Sequence, residues 1–319
     1  MDDEIMVNGN ANESAGSTSF WRKIFVGSRG IRTGWRLAIF LLILVGSLWL
    51  VKIGIYHVPA AVRIFDQGFL SPSLEYLAEI PTALCVLVCS LVMARIEKRS
   101  LADYGLTLRD GAGRHFFWGL VWGLCVFSGV MVLIAMLHGF SFGGLALHGL
   151  TLAKYASLWA IGFLLVGFVE EFLYRGYVQF TLAQAIGFWP AAVVWSLAFG
   201  AMHLFNPGEN LAGALEVFLF AIFGCLSLRR TGTLWFAIGF HAAGDYAETF
   251  LFSVRDSGYA ASGTLLSSSV QGPAWLTGGK VGPEASVFSM LVLCVAMLCF
   301  HFLYPQGSRQ ENALCASQR

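Results

Sequence analysis

Val169-Glu170-Glu171-Phe172-Leu173-Tyr174-Arg175-Gly176 sets two carboxylates and a guanidinium midway along an apolar run at about 153–182. A charge inside a membrane-spanning helix costs about 2.5–3.5 kcal/mol on insertion scales, so such groups mark functional positions. Glu171 and Arg175 stand four residues apart, share a helix face and can pair. Glu170 is turned about 100° away from Glu171 and has no local counter-charge. A carboxylate left without a charge partner in low dielectric is suited to general-base work. The competing reading makes all three side chains structural glue between helices.

The rest of the chain agrees that this run lies in a bilayer. Of 319 residues, 57% are hydrophobic and 12% are charged, against about 25% charged in a soluble domain. Spanning helices need roughly 20 apolar residues. Eight candidates fit, at about 35–57, 74–95, 116–137, 153–182, 188–205, 212–229, 233–253 and 285–304. The expected fold is therefore an all-α, polytopic transmembrane helix bundle of about eight spans. The fourth run is too long for a simple span and the fifth is short.

With eight spans, fourteen Lys and Arg fall on one side and five on the other. The positive-inside rule then puts both termini in the cytoplasm, and the expected location is the bacterial inner membrane. Residues 1–33 read as a disordered cytoplasmic tail, 34–305 as the transmembrane domain and 306–319 as a second cytoplasmic tail. The polar N-terminus does not read as a cleavable signal peptide. Residues 254–284, rich in Gly, Ser and Pro, read as an extracytoplasmic linker rather than a gating lid. Six of seven cysteines sit in apolar runs, which argues against a disulfide framework. A net charge of +1 leaves no basic face for nucleic acid.

Two further clusters carry polar groups into the apolar runs. Phe199-Gly200-Ala201-Met202-His203 brings one imidazole, and its small residues permit close helix approach. His241-Ala242-Ala243-Gly244-Asp245 sets an imidazole and a carboxylate on one face. That pair could ligate a metal, orient hydrogen bonds towards an oxyanion, or be structural. Glu248, one turn on, reads as nearer the membrane exit. Helical rise puts Glu170 ~18 Å, His203 ~22 Å and His241 ~12 Å from one membrane boundary. All three then lie near the middle of a ~30 Å core.

Glu-Glu-x-x-x-Arg, Phe-x-x-x-His and His-x-x-x-Asp, each on its own apolar helix and in this order, resemble the CPBP family over about 95–255. This family groups the CAAX prenyl endopeptidases of the Ras-converting type with bacterial bacteriocin-processing and immunity (Abi-like) proteins. The link Glu97-Lys98-Arg99-Ser100-Leu101-Ala102-Asp103-Tyr104-Gly105-Leu106 also resembles the segment before the family core. Asp245 departs from the pattern, since the prenyl endopeptidases usually carry Asn there. The resemblance implies an intramembrane endopeptidase. By that resemblance, Glu170 and His203 would activate water, and His241 and Asp245 would hold the oxyanion or complete a metal site. Glu171, Arg175 and Phe199 support them.

The family is commonly labelled a metalloprotease, and Glu170, His203, His241 and Asp245 are donors of the kind zinc takes. The same groups can run general-base hydrolysis without metal. Partners implied are membrane lipids and a protein or peptide substrate, a prenylated protein or a leader peptide among the options. Two other classes compete: a proton- or ion-coupled transporter, and a non-catalytic immunity or scaffold protein of the same fold. Internal repeats of the transporter kind are not evident. No His-Glu-x-x-His occurs, so the usual zinc-protease helix signature is absent.

Overall fold

A computed structural model describes residues 25–27, 30–109 and 111–305. Most of the tail expected over 1–33, all of 306–319 and Cys315 lie outside those residues. Just before the first helix, β1 (Val26–Gly27) and β2 (Gly30–Ile31) pair antiparallel.

All eight apolar runs fold as helices. Five are long and apolar enough to cross a membrane: α1 (Thr33–Tyr56), α3 (Pro72–Glu97), α4 (Ala112–Met136), the composite helix Gly149–Ile186 and α8 (Leu211–Thr231). A short α2 (Pro59–Phe65) lies between α1 and α3. The composite helix consists of α5 (Gly149–Glu171), a π-helical stretch at Phe172–Val178 and α6 (Gln179–Ile186). The other three apolar helices are α7 (Phe188–His203, 16 residues), α9 (Trp235–Asp245, 11 residues, continued by a 6-residue π stretch at Tyr246–Leu251) and α11 (Val287–Leu303, 17 residues). At about 1.5 Å per residue, 17 residues reach only about 25 Å. The eight helices expected are thus present, five of them at spanning length.

Local chemistry sets the ends. Ser71 caps α3 by accepting a hydrogen bond from the Leu74 N–H, with Pro72 in the first turn. Asn210 does the same for α8 through the N–H groups of Ala212 and Gly213. Gly232 closes α8 in the left-handed conformation (φ 73°).

The bundle is organised around α9, where every residue from Phe236 to Gly244 is buried. Close approach makes this possible. A Cβ at Gly119 or Gly123 would overlap the carbonyl oxygens of Phe236 or Phe240, and one at Gly239 would overlap that of Phe116. Small residues are how helices approach closely when no hydrophobic effect drives them together. α5 packs against the same helix, with Gly167 facing Ile238 and Ala242.

The segment after α9 is not the bland linker expected from its composition. β3 (Phe140–Ser141) pairs with β4 (Ser269–Val270), and bridges join Leu70 to Ala261 and Leu145 to Leu266. A short α10 (Ala274–Thr277) follows, and Val254, Leu276, Val281 and Ala285 are buried. Backbone hydrogen bonds to neighbouring elements supply the order that hydrophobic periodicity could not reveal.

A polar staple joins three helices at the opposite end. Arg36 on α1 donates Nε to Glu97 Oε1 at 2.8 Å, pairs a second time with Oε2, and donates Nη1 to Gln184 at 2.8 Å. The Tyr177 hydroxyl donates to the same Glu97 oxygen at 2.6 Å. Tyr104 stacks edge-on against Tyr177 at 5.1 Å. The Glu97–Leu106 link is thereby locked against the π stretch. Glu97→Leu leaves the buried Arg36 unpaired and is expected to destabilise by about 3–5 kcal/mol. Thermal unfolding in detergent reads this out; an unchanged midpoint would show the staple to be idle.

Candidate active site

The composite helix departs from α geometry where its charges lie. A π-helical stretch starts at Phe172, and Gly176 takes a non-helical backbone (φ −78°, ψ −113°). Such π segments occur often at functional sites. Here the stretch lets one helix present Glu170, Glu171 and Arg175 and still continue to Ile186.

Glu171 is the centre of a buried network. Its Oε1 accepts from Arg175 Nη1 at 3.1 Å and from His241 Nδ1 at 3.0 Å. Both partners are buried, and Glu171 is 1% exposed. The i,i+4 pair read from the sequence is therefore present, and it also grips α9. Gly224 on α8 makes the space: a Cβ there would stand 3.1 Å from Glu171 Oε2. Arg175 lies over the Phe199 ring at 4.8 Å, and that ring meets His203 edge-on at 4.5 Å.

The carboxylate at Nδ1 is an acceptor, so His241 donates there and turns Nε2 the other way. Nε2 stands 3.7 Å from Glu170 Oε2 and 3.5 Å from Asp245 Oδ2. Both separations exceed a direct hydrogen bond. On α7, His203 Nδ1 donates to the Phe199 carbonyl at 2.9 Å. That fixes its tautomer. Among the described residues no hydrogen bond or ion pair links His203 to Glu170, so Glu170 is nearer in contact to His241 than to the partner expected for it.

Glu170, His203, His241 and Asp245 nevertheless line one cavity of about 560 Å³. The small residues beside His203 act as expected: a Cβ at Gly200 would stand 2.6 Å from the Ala214 carbonyl oxygen of α8.

The cavity holds acids that the motifs did not single out. Glu75 and Glu79 on α3, Glu216 on α8, and Asp256 and Glu284 beyond α9 all line it, as does Glu248. Among the described residues, eight carboxylates and no Lys or Arg face this space. Glu75 and Glu79 were visible as an i,i+4 pair inside an apolar run, and Glu216 as a single acid in another. Asp256 and Glu284 gave no signal, because they lie in irregular chain. Burial pushes the Asp256 carboxyl up to about 6, against the lowering effect of the Thr249 hydrogen bond. Burial, then the Asp256 charge, raises Glu284 well above the usual carboxylate range.

Residues 152–247 match the family model described as type II CAAX prenyl endopeptidase Rce1-like. The matched segment contains all three motifs, so the resemblance read from them is borne out over these residues. No curated protein matches the chain.

Proposed function

We propose, from the match of residues 152–247 to the Rce1-like protease family, that the chain is an intramembrane endopeptidase acting on a membrane-associated protein or peptide. The observation that carries this reading is the meeting of Glu170, His203, His241 and Asp245 on one buried cavity. Hydrolysis inside a bilayer needs water, a base and an oxyanion donor in one water-accessible space.

In this reading Glu170 takes a proton from water held between its carboxylate and His203 Nε2. The water oxygen bonds to the scissile carbonyl carbon. His241, protonated on both ring nitrogens, held at Nδ1 by Glu171 and flanked by Asp245, donates a hydrogen bond from Nε2–H to the developing oxyanion and keeps that proton. The C–N bond then breaks, and the proton on Glu170 passes to the leaving amine. Glu171 and Arg175 are positioning residues, since they act through His241.

A zinc-assisted reading has its own support. Each imidazole donates Nδ1–H to a fixed acceptor, Phe199 O or Glu171, as metal-ligating histidines do. Glu170, His203, His241 and Asp245 are the residues that would hold zinc, which would supply Lewis acidity at the carbonyl. The metal-free route is preferred, because Glu170 and His203 suffice as base and partner. Cleavage is expected to persist after removal of zinc with 1,10-phenanthroline; stoichiometric zinc and loss of cleavage on chelation would favour the metal instead.

The acidic lining also bears on substrate. Eight carboxylates without a Lys or Arg among the described residues favour peptides with basic residues near the scissile bond over anionic ones. Comparing membrane proteomes from cells with wild-type and Glu170→Gln protein tests the function itself. Uncleaved species should accumulate only with the variant; identical proteomes would sink the peptidase reading in favour of a transporter or scaffold.

A further inference from the structure

Glu248, Asp256 and Glu284 each offer one carboxylate oxygen, and these oxygens all lie within 4.8 Å of one another. The three residues are 2%, 9% and 7% exposed. They come from three places in the chain: the α9 extension, the loop after it, and the turn before α11. None is among the groups assigned above to water activation or the oxyanion.

The cluster lacks the partners that buried charge requires. Glu248 Oε1 is buried and has no hydrogen-bond partner among the described residues, although its carboxylate is turned to the other two. Among the described residues, no Lys or Arg forms an ion pair with any of the three. Arg255, adjacent to Asp256 in sequence, donates instead to the Gly258 carbonyl at 2.8 Å. An uncompensated buried carboxylate is costly, and here three share one spot.

The other two acids are held in place. Asp256 Oδ2 accepts from the Thr249 hydroxyl at 2.9 Å, and Glu284 accepts from the Ser257 N–H. The Asp256 N–H donates to Tyr259 O and the Gly258 N–H to Val281 O. The oxygens are thus set in advance, with one face on the water-accessible cavity.

The geometry points to a calcium site that clamps the 254–284 segment to the α9 extension. All-oxygen donors select a hard cation over zinc. Mg²⁺ keeps several waters and is usually held through one or two carboxylates, whereas three carboxylate oxygens within 4.8 Å of one another suit the larger shell of Ca²⁺, with its ligands at about 2.3–2.6 Å. Three carboxylates and cavity water fill a coordination shell of this kind. The bound ion supplies the missing charge and ties the loop to the helix that carries His241 and Asp245.

The test uses the purified full-length protein in detergent and Ca²⁺ alone. Equilibrium dialysis with radioactive calcium should show saturable binding of a single ion per chain, little displaced by equimolar Mg²⁺. Adding Ca²⁺ should raise the thermal midpoint over that in EGTA. Glu248→Gln and Glu284→Gln should each weaken binding at least about tenfold, since ligand charge count sets affinity in oxygen-donor sites. In EGTA these variants should be no less stable than wild type, because each removes a repelling charge; mere structural damage would lower them. Glu170→Gln should bind Ca²⁺ as wild type does, which separates this site from the peptidase reading. No saturable binding by the wild type, unchanged binding by both Gln variants, or loss of binding in Glu170→Gln overturns the proposal.

Discussion

Glu170→Gln is expected to lower kcat/KM for peptide cleavage by about 10²–10⁴-fold, the range general-base catalysis supplies. The exchange keeps side-chain volume and removes only the ability to take a proton. Glu170 is the member of the Glu-Glu pair without an arginine partner, its nearest polar contact being His241 Nε2 at 3.7 Å. Folding should therefore be little affected, and the thermal midpoint should stay near that of the wild type. Loss of folded protein from membranes would instead make Glu170 a structural element. Full cleavage by a well-folded variant would remove it from the chemistry.

Glu171→Ala is expected to fail in both respects. It strips Arg175, 2% exposed, of its buried partner at a cost of about 3–5 kcal/mol. It also takes the acceptor from His241 Nδ1, so the ring loses its orientation. The two effects can be separated. Replacing the pair together, Glu171→Leu with Arg175→Met, exchanges two buried charges for apolar groups and is often neutral or stabilising. The double variant should regain the wild-type thermal midpoint and remain inactive.

Restored cleavage in that variant would show the network to be stability alone. The pair is already imperfect as a stabiliser: Glu171 Oε2 and Arg175 Nη2 are buried with no hydrogen-bond partner among the described residues. That cost is reasonable where the pair serves to aim His241.

Much of this site could be read from residue spacing. Glu171 with Arg175, and His241 with Asp245, are i,i+4 pairs, and helix geometry alone puts each on one face. Depth along the helices told which faces could meet. What spacing could not give was the contact between helices, and so the grip of Glu171 on His241 went unread. The same holds for the nearness of Glu170 to His241. The π stretch at Phe172–Val178 also has no periodic signature, because it shifts the face by a single residue.

The acids of the cavity divide along the same line. Glu75, Glu79 and Glu216 were passed over, although they lie in apolar helical runs, where the cost of an intramembrane charge was a signal that could have found them. Asp256 and Glu284 sit in a Gly- and Ser-rich segment, whose composition matches an ordinary linker. Only tertiary hydrogen bonds, such as Ser257 to Glu284, bring them to the cavity wall. Eight apolar runs were legible and each folds as a helix, yet only five reach spanning length, and α7, α9 and α11 are short. Their length is set by the polar residues and turns that bound them, which a hydropathy window averages away.

The most direct measurement is a double-mutant cycle on cleavage of a substrate found by the proteome comparison, using Glu170→Gln, His203→Ala and both together. Groups that act on one water lose their effect as a unit. The double variant should then be no slower than the slower single variant. Losses that multiply, or full activity in either single variant, would contradict a shared water in the cavity.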